Sequence, residues 1–415
     1  MLFFLPNGVC MRAHYVLHRL IVITGIALIP IAGWSQPNTN GLKSAFEAAW
    51  QRSPQARTLE AQRNEVQAGQ EAAQSWIAGA PAVGVGQRSD RWTDRNGIRD
   101  TEISLSAPIW LAGQKSARET LAQSSSEDLE ARIAWERLNL AGEVRERLWA
   151  VAASREALWE AQDHLHHLEE LTAEVMRRVK AGDLARADGL LAQQEMLSAK
   201  GLVAAAQARE REALARYTVL TGQSDIPEPE PEPIASGTPE SHPRVQASQT
   251  ALSKAHASLN AVTAIRSDPP TVGLLMRQER DAYDAASSKS VGISVQIPIG
   301  TRSRNRPLET AAYTQIAAAT AETRRAETSL QTEIELARQQ LAAAQSALES
   351  AKERATLTRE HTQLIEKAFR LGERGLAEVL RSQALSHEAE VAERQQRVSV
   401  GLAHARLNQA LGVIP

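Results

Sequence analysis

The sequence predicts a mainly α fold with a small β part, in which one unit of helix, β-hairpin, long helix and return helix occurs twice. Three observations predict it. First, aromatic residues are only 4% of the 415 residues, too few for several conventional cores, while alanine, glutamine, glutamate, arginine and leucine dominate, the vocabulary of long amphipathic helices. Second, Gly113 to Lys180 reads as one helical pattern without proline. At ~1.5 Å per residue it spans roughly 100 Å, far beyond an ordinary globular helix. Third, the two halves of the chain match each other at a shift of about 190 residues.

Residues 1–35 read as leader and signal peptide. Arg12 and Arg19 supply a basic region, Leu20 to Ile31 an apolar one, and Gly33-Trp34-Ser35 small residues before a cut ahead of Gln36. The alternative, an uncleaved anchor, needs a longer apolar run of ~20 residues. The lone cysteine, Cys10, lies before the apolar region, so the processed chain holds neither a disulfide nor a lipid-modified cysteine. Processing removes Arg12 and Arg19 and takes the net charge from -2 to -4, which gives no reason to expect nucleic acid as a partner. No later run of ~18 apolar residues appears, so entry into a membrane would have to be as a barrel.

The first repeat is assigned to residues 36–222. Its opening helix runs from Gly41 to about Ile77, restarted at Pro54 after Ser53. The period then changes to two, with strands expected at about 81–88 and 99–108: Val83 and Val85 alternate with Gly84 and Gly86, Ile103 and Leu105 with Ser104 and Ser106. One apolar face and one small or polar face suit a strand pair between lipid and a wet lumen, with Trp76 and Trp110 at one interface. A soluble hairpin with one buried face has the same pattern. In the long helix Val144, Val151, Leu158, Leu165, Thr172 and Val179 recur every seven residues, a coiled-coil seam that ends at Gly182 in a hairpin tip at about 178–190. A return helix reaches Gly222.

Residues 223–240 form an acidic, extended linker around Pro227-Glu228-Pro229-Glu230-Pro231-Glu232-Pro233. The second repeat, 241–415, follows with a helix to about Arg266, strands at about 270–278 and 290–299, a long helix from about Pro307 to Leu371, a tip at about 368–380 and a return helix to Leu411. Ile103 to Pro108 falls on Ile293 to Pro298, Gly182 on Gly372, Asp188 on Glu378 and Gly222 on Gly412, and Val144 and Val151 fall on Ile334 and Leu341. Chance does not hold register across strand, helix and hairpin together. Four strands cannot close a wet lumen, so closure requires several chains: a homo-oligomeric tube, part β-barrel and part α-barrel.

The duplicated strand-to-helix junctions Ser106-Ala107-Pro108-Ile109-Trp110-Leu111-Ala112-Gly113-Gln114 and Gln296-Ile297-Pro298-Ile299-Gly300, with the two glycine hairpins, resemble the TolC-type outer membrane factor family. The similarity covers essentially the whole processed chain. It implies a homotrimer in which each chain gives four strands to one outer-membrane barrel, continuous with a periplasmic α-helical barrel. It also implies a periplasmic adaptor (membrane fusion) protein, an inner-membrane pump of RND type and outer-membrane lipid as partners, and no cofactor. The segment Gly292 to Arg306, with Arg304-Asn305 after its proline-bearing strand end, is similar to the CzcC-like heavy-metal efflux branch, although Gly300-Thr301 replaces that branch's usual aromatic.

Carried over from the resemblance, Asp188 and Arg374 match a gate carboxylate and a gate arginine, and Phe369 stands where a gate tyrosine is familiar. Opposite charges on neighbouring helices would latch the tip shut. Glu378 matches a ring of carboxylates at the pore constriction, favouring cations, but the next acidic ring position is Arg381. Asp188 and Glu378 also suit a helix N-terminus for purely local reasons, and Arg374 a solvated turn. Gly182 and Gly372 are expected to end their helices in a left-handed cap. They and Val179, Leu184, Leu371 and Leu376 are candidate adaptor-docking positions, for which packing within the hairpin is the competing account.

His164 with His167, or His166 with Glu170, stand at metal-ligand spacing on a helix, but without cysteine or a clear third ligand a solvated face explains them as well, and no metal site is assigned. No nucleophile and base, phosphate loop or other enzymatic constellation is present in the sequence. The expected function is therefore passive conduction through an outer-membrane channel of a tripartite efflux system, with heavy-metal cations as cargo. The alternatives are a periplasmic coiled-coil adaptor or scaffold, or a channel for drugs or type I protein secretion.

Overall fold

A computed structural model describes residues 39–415, so the leader, the signal peptide and Cys10 lie outside the described residues. Helix α1 (Thr39–Arg52) breaks at Ser53, whose Oγ accepts from the Ala56 N–H at 3.4 Å, and α2 (Pro54–Gln74) restarts on a proline whose missing N–H would have no helical partner there. Then come β1 (Ala82–Ser89), β2 (Arg99–Pro108), α3 (Gln114–Ala181) and α4 (Arg186–Thr221). A short 3₁₀ turn at Pro239–Ser241 precedes α5 (Pro243–Ala264), β3 (Thr271–Arg280), β4 (Ser288–Gln296), α6 (Arg302–Arg370) and α7 (Leu376–Ala410).

The opening helix ends at Gln74, not near Ile77, and two further boundaries differ from expectation for reasons of hydrogen bonding. β4 stops at Gln296, not near 299, because Pro298 has no N–H to give to a ladder. α6 starts at Arg302, not near Pro307, and takes that proline inside its second turn, where only a single helical hydrogen bond is lost.

The four strands form one antiparallel sheet in the order β1-β2-β3-β4. Val85 pairs with Ile103, Ile103 with Met276 and Met276 with Val291, so these side chains share a face. Val83, Leu105, Leu274, Ile293 and Val295 join them, and every one of these residues is more than half exposed. The other face carries Gly84, Ser104, Ser106, Gly273 and Ser294. The sheet is thus apolar toward its surroundings and, apart from Leu275 lying over Gly292, small or polar on its reverse.

The helices form two paired rods whose cores repeat in phase. Around the first, Val144 and Val151 of α3 pack with Ala45 and Ala49 of α1 and Tyr217 of α4. Around the second, Ile334 and Leu341 of α6 pack with Val245 of α5 and Leu407 of α7. The rods are joined along α3, which packs against α4, α5 and α7, while α6 packs against α5 and α7. Where α3 meets α7, Gly401 lies so close to the Trp149 ring that an added Cβ would fall 1.9 Å from it. Glycine is required there for close approach.

The acidic linker is fixed by one buried cation. Arg145 of α3 is 2% exposed; its Nε and Nη2 donate to Glu232 at 2.8 and 2.7 Å, and its Nη1 donates to Gln409 Oε1 and to the Val413 carbonyl, both at 2.9 Å. Asn408 Nδ2 adds a bond to the Pro233 carbonyl at 2.9 Å. A proline-rich segment has few N–H groups for a sheet or helix, so side chains must hold it. Arg145→Ala leaves Glu232 without its cation and is expected to cost about 3–5 kcal/mol, read as a lowered Tm. An unchanged Tm would show that the linker is held by other contacts.

Candidate functional site: the paired hairpin tips

The two helical turns at the far end from the sheet have the same geometry. α3 ends at Gly182, φ 90°, where Asp183 N donates to the Arg178 carbonyl at 2.9 Å. α6 ends beside Gly372, φ 80°, where Glu373 N donates to the Ala368 carbonyl at 2.9 Å. Both are left-handed caps that satisfy the last carbonyls, a conformation glycine reaches without a Cβ clash. Above each turn a threonine ties the long helix to its return helix: Thr172 Oγ1 donates to the Ala192 carbonyl at 3.1 Å, and Thr362 Oγ1 to the Ser382 carbonyl at 2.9 Å. These threonines stand at equivalent places in the repeat; their equivalence is visible in the alignment of the halves, their contact only in the fold.

The core between the tips is Val175, Ala192, Phe369, Leu376 and Val379. Phe369, 4% exposed, lies under the Arg178 guanidinium, 4.9 Å from the ring centroid, and Arg178 Nη2 also donates to the Arg370 carbonyl at 3.4 Å. Phe369 therefore joins the two hairpins by packing and a cation–π contact. Leu376, expected as an adaptor contact, is only 3% exposed; as the first residue of α7 after the extended Gly375 it turns into this core. Val179 and Leu184 pack against the same cluster. Leu371, 67% exposed, and the two glycines Gly182 and Gly372 remain on the surface of the tip.

Arg374 does not reach Asp188 within the protomer. Its Nη1 donates to Glu378 Oε1 at 2.8 Å, one turn along, a local pair that orders fewer bonds than a contact between hairpins. Asp188 is half-buried in the first turn of α4. Glu378 carries its own cation, and Arg381, also exposed, follows it on the same face of α7.

Of the two histidine pairs read along the helix, His166 with Glu170 forms, while His164 turns to a different partner. His167 Nδ1 is 3.0 Å from the Asp163 carbonyl and His166 Nε2 is 3.5 Å from Glu170, whereas His164 stacks on His387 of α7, centroids 4.0 Å apart and planes 11° from parallel. The stack sits in a groove of about 380 Å³ between α3, α6 and α7, with Asp163, Arg359, Glu366 and Glu390 on its walls. Among the described residues no three histidine, cysteine or carboxylate side chains are arranged to hold a metal ion. Burial, then the neighbouring His387 and His167, push His164 down to about 4, and burial lowers His387 as well. Below the stack, burial raises Glu160 even though Arg394 pairs with it. His387, remote in sequence, left no local signal.

Against known proteins, no family model matches the chain, and no curated protein matches it. Solved structures do match in fold. The outer membrane protein VceC from Vibrio cholerae is 15% identical with a TM-score of 0.73, over 89% of this chain and 96% of that one. The open state of the Neisseria gonorrhoeae MtrE outer membrane channel is 18% identical with a TM-score of 0.70, over 90% and 89%. CusC, described in terms of folding and transmembrane channel formation, is 15% identical with a TM-score of 0.73, over 93% and 95%. The duplicated arrangement of sheet and helices is the fold of these channels.

The stacked histidines make the contact between α3 and α7 sensitive to acid. Because His164 is lower in the fold than its ordinary 6.5, its contribution is complete above pH 6.5 and is lost as pH falls toward about 4. Relative to His164→Leu, the native chain is expected to lose roughly 1 kcal/mol by pH 5, allowing for a ring that is partly screened by solvent. The difference in Tm between the two proteins across pH 7 to 5 measures it. A constant difference would show that the stack does not titrate.

Proposed function

We propose that this chain is a member of the TolC-type outer membrane factor family: one subunit of a homotrimeric channel of the outer membrane that completes a tripartite efflux system. The observation that carries this reading is the sheet, whose exposed side is apolar while its reverse is small and polar except at Leu275. In water such a face would be a liability; in a bilayer it is a barrel wall. β1 and β4 are edge strands with unpaired backbone groups, which lipid does not satisfy and a neighbouring copy does. Three copies would supply ~12 strands, enough for a wet lumen.

The tip supports the same assembly. α4 packs on α3, α3 on α7 and α7 on α6, which leaves α4 and α6 at the two edges. Leu190 and Leu197 of α4, and Leu357 and Leu364 of α6, are exposed at spacings of seven, the pattern of helices awaiting a partner. On this reading Asp188, on the α4 edge, meets Arg374 of the next copy, and the latch forms between subunits at the expense of the local Arg374–Glu378 pair. Glu378 and Arg381 then line the constriction, while Leu371, Gly182 and Gly372 are the surface offered to a periplasmic adaptor that connects to an RND-type inner-membrane pump. The channel is passive and performs no chemistry. Its cargo is proposed to be heavy-metal cations, on the resemblance of residues 292–306 to the CzcC-like branch.

Fractionation is expected to place the protein in the outer membrane as a heat-sensitive trimer, and recovery in the soluble periplasm alone would overturn the channel. Deleting the gene is expected to increase sensitivity to divalent metals. Sensitivity only to dyes and antibiotics would reject the metal branch and keep the channel. For the latch, Asp188→Arg or Arg374→Asp should raise closed-state conductance up to about fivefold, the weight of one exposed ion pair, and the double swap should restore it. Unchanged conductance in both single variants removes the latch.

A further inference from the structure

We propose that the end of the sheet remote from the helices carries a site for the phosphate of a lipid headgroup, formed by Arg99, Arg280 and Lys289. The inference rests on reading the sheet as a barrel wall in the outer membrane. Arg99 and Arg280 are direct partners across the β2–β3 ladder, on the same face as Ile103 and Met276. Lys289, the partner of Gln278, shares the face of Val291. All three cations therefore point to the apolar side. They stand just beyond its last apolar residues, Arg99 being four residues from Ile103, roughly 13 Å along the strand.

Two like charges directly opposite on neighbouring strands repel one another unless an anion lies between them. The strands themselves supply none. Asp100 and Glu279, the carboxylates at the same height, belong to the opposite face, where Arg277 pairs with both. In the adjoining turn, Asp90 Oδ2 accepts from the Asn96 N–H at 2.6 Å. Among the described residues no carboxylate lies within ion-pair distance of Arg99, Arg280 or Lys289. The Nε of Arg280 is, in addition, shielded from solvent without any hydrogen-bond acceptor. Asp100, Glu279 and Arg277 of the reverse face are thus paired within the chain, and the three cations of the apolar face are not.

A phosphate answers each of these conditions: it is anionic, it accepts from two guanidinium groups together, and its oxygens reach a shielded Nε–H. Continuity with the apolar face selects the source. A bilayer that covers Val85, Ile103, Met276 and Val291 holds its headgroup phosphates at the height where the apolar residues end. A free anion or a soluble protein has no reason to gather at that boundary.

The test uses the purified, assembled full chain in detergent, with native mass spectrometry to read retained lipid. Diphosphoryl lipid A, dephosphorylated lipid A and inorganic phosphate are the probes, on the native chain and on Arg99→Gln/Arg280→Gln. The native chain is expected to retain diphosphoryl lipid A, and the double variant to bind it at least about tenfold more weakly, the weight of one charged hydrogen bond. Dephosphorylated lipid A should be retained no better than a phosphate-free lipid such as diacylglycerol. Equal retention by both proteins, or of both lipid A forms, would overturn the site, and displacement by inorganic phosphate at equal concentration would overturn the lipid as its source. If the double variant does not assemble, Lys289→Gln, which leaves the arginine pair intact, is expected to weaken retention measurably, and no change there counts against the site. A chain that fractionates as an outer-membrane trimer but fails these tests loses this inference alone, whereas failure to enter the membrane removes the barrel reading first.

Discussion

A four-stranded sheet with an apolar exposed face and two open edges is the constraint on which the rest of the molecule depends. Exposed apolar area on this scale is unfavourable in water, and unpaired strand edges are unfavourable in lipid. On the proposed reading, copies joined edge to edge within a bilayer would resolve both at once. The helices inherit the consequence. If the strands of one chain are a fraction of a ring, the long helices leaving them are the same fraction of a tube, and the apolar residues left on α4 and α6 are explained as the joints between fractions.

Duplication makes this economical to encode. Equivalent positions do equivalent work: Gly182 and Gly372 cap their helices, Thr172 and Thr362 bind the return helices, and Val144 and Ile334 fill the two rod cores. The departures from symmetry are where individual roles arise. Phe369 places an aromatic ring between the hairpins, Arg145 anchors the linker between the repeats, and His164 stacks on His387 across the join between the rods. Each departure lies at a contact between halves.

The strands and the tip turns were legible because their causes are local. A period of two with glycine or serine between aliphatic residues dictates a two-faced strand, and a glycine that breaks a heptad pattern dictates a left-handed cap. The tip side chains were less legible. Leu376 and Leu371 are both leucines beside a glycine turn, and only backbone direction decides that one is buried and the other exposed. Arg374 is expected from the sequence to face Asp188, but Glu378 takes it within the chain because a pair one turn apart costs less order than a pair between hairpins.

By itself the sequence determined the duplication, the two-faced strands, the coiled-coil rods and the glycine turns, since each is a pattern over neighbouring residues repeated at a constant shift. Only the tertiary structure decided which residues meet across the halves: Phe369 beneath Arg178, His164 on His387, Arg145 in the grip of Glu232, and Arg99 opposite Arg280. Those contacts depend on the register of strands and the rotation of helices about their axes, and both are set by how all the elements close on one another.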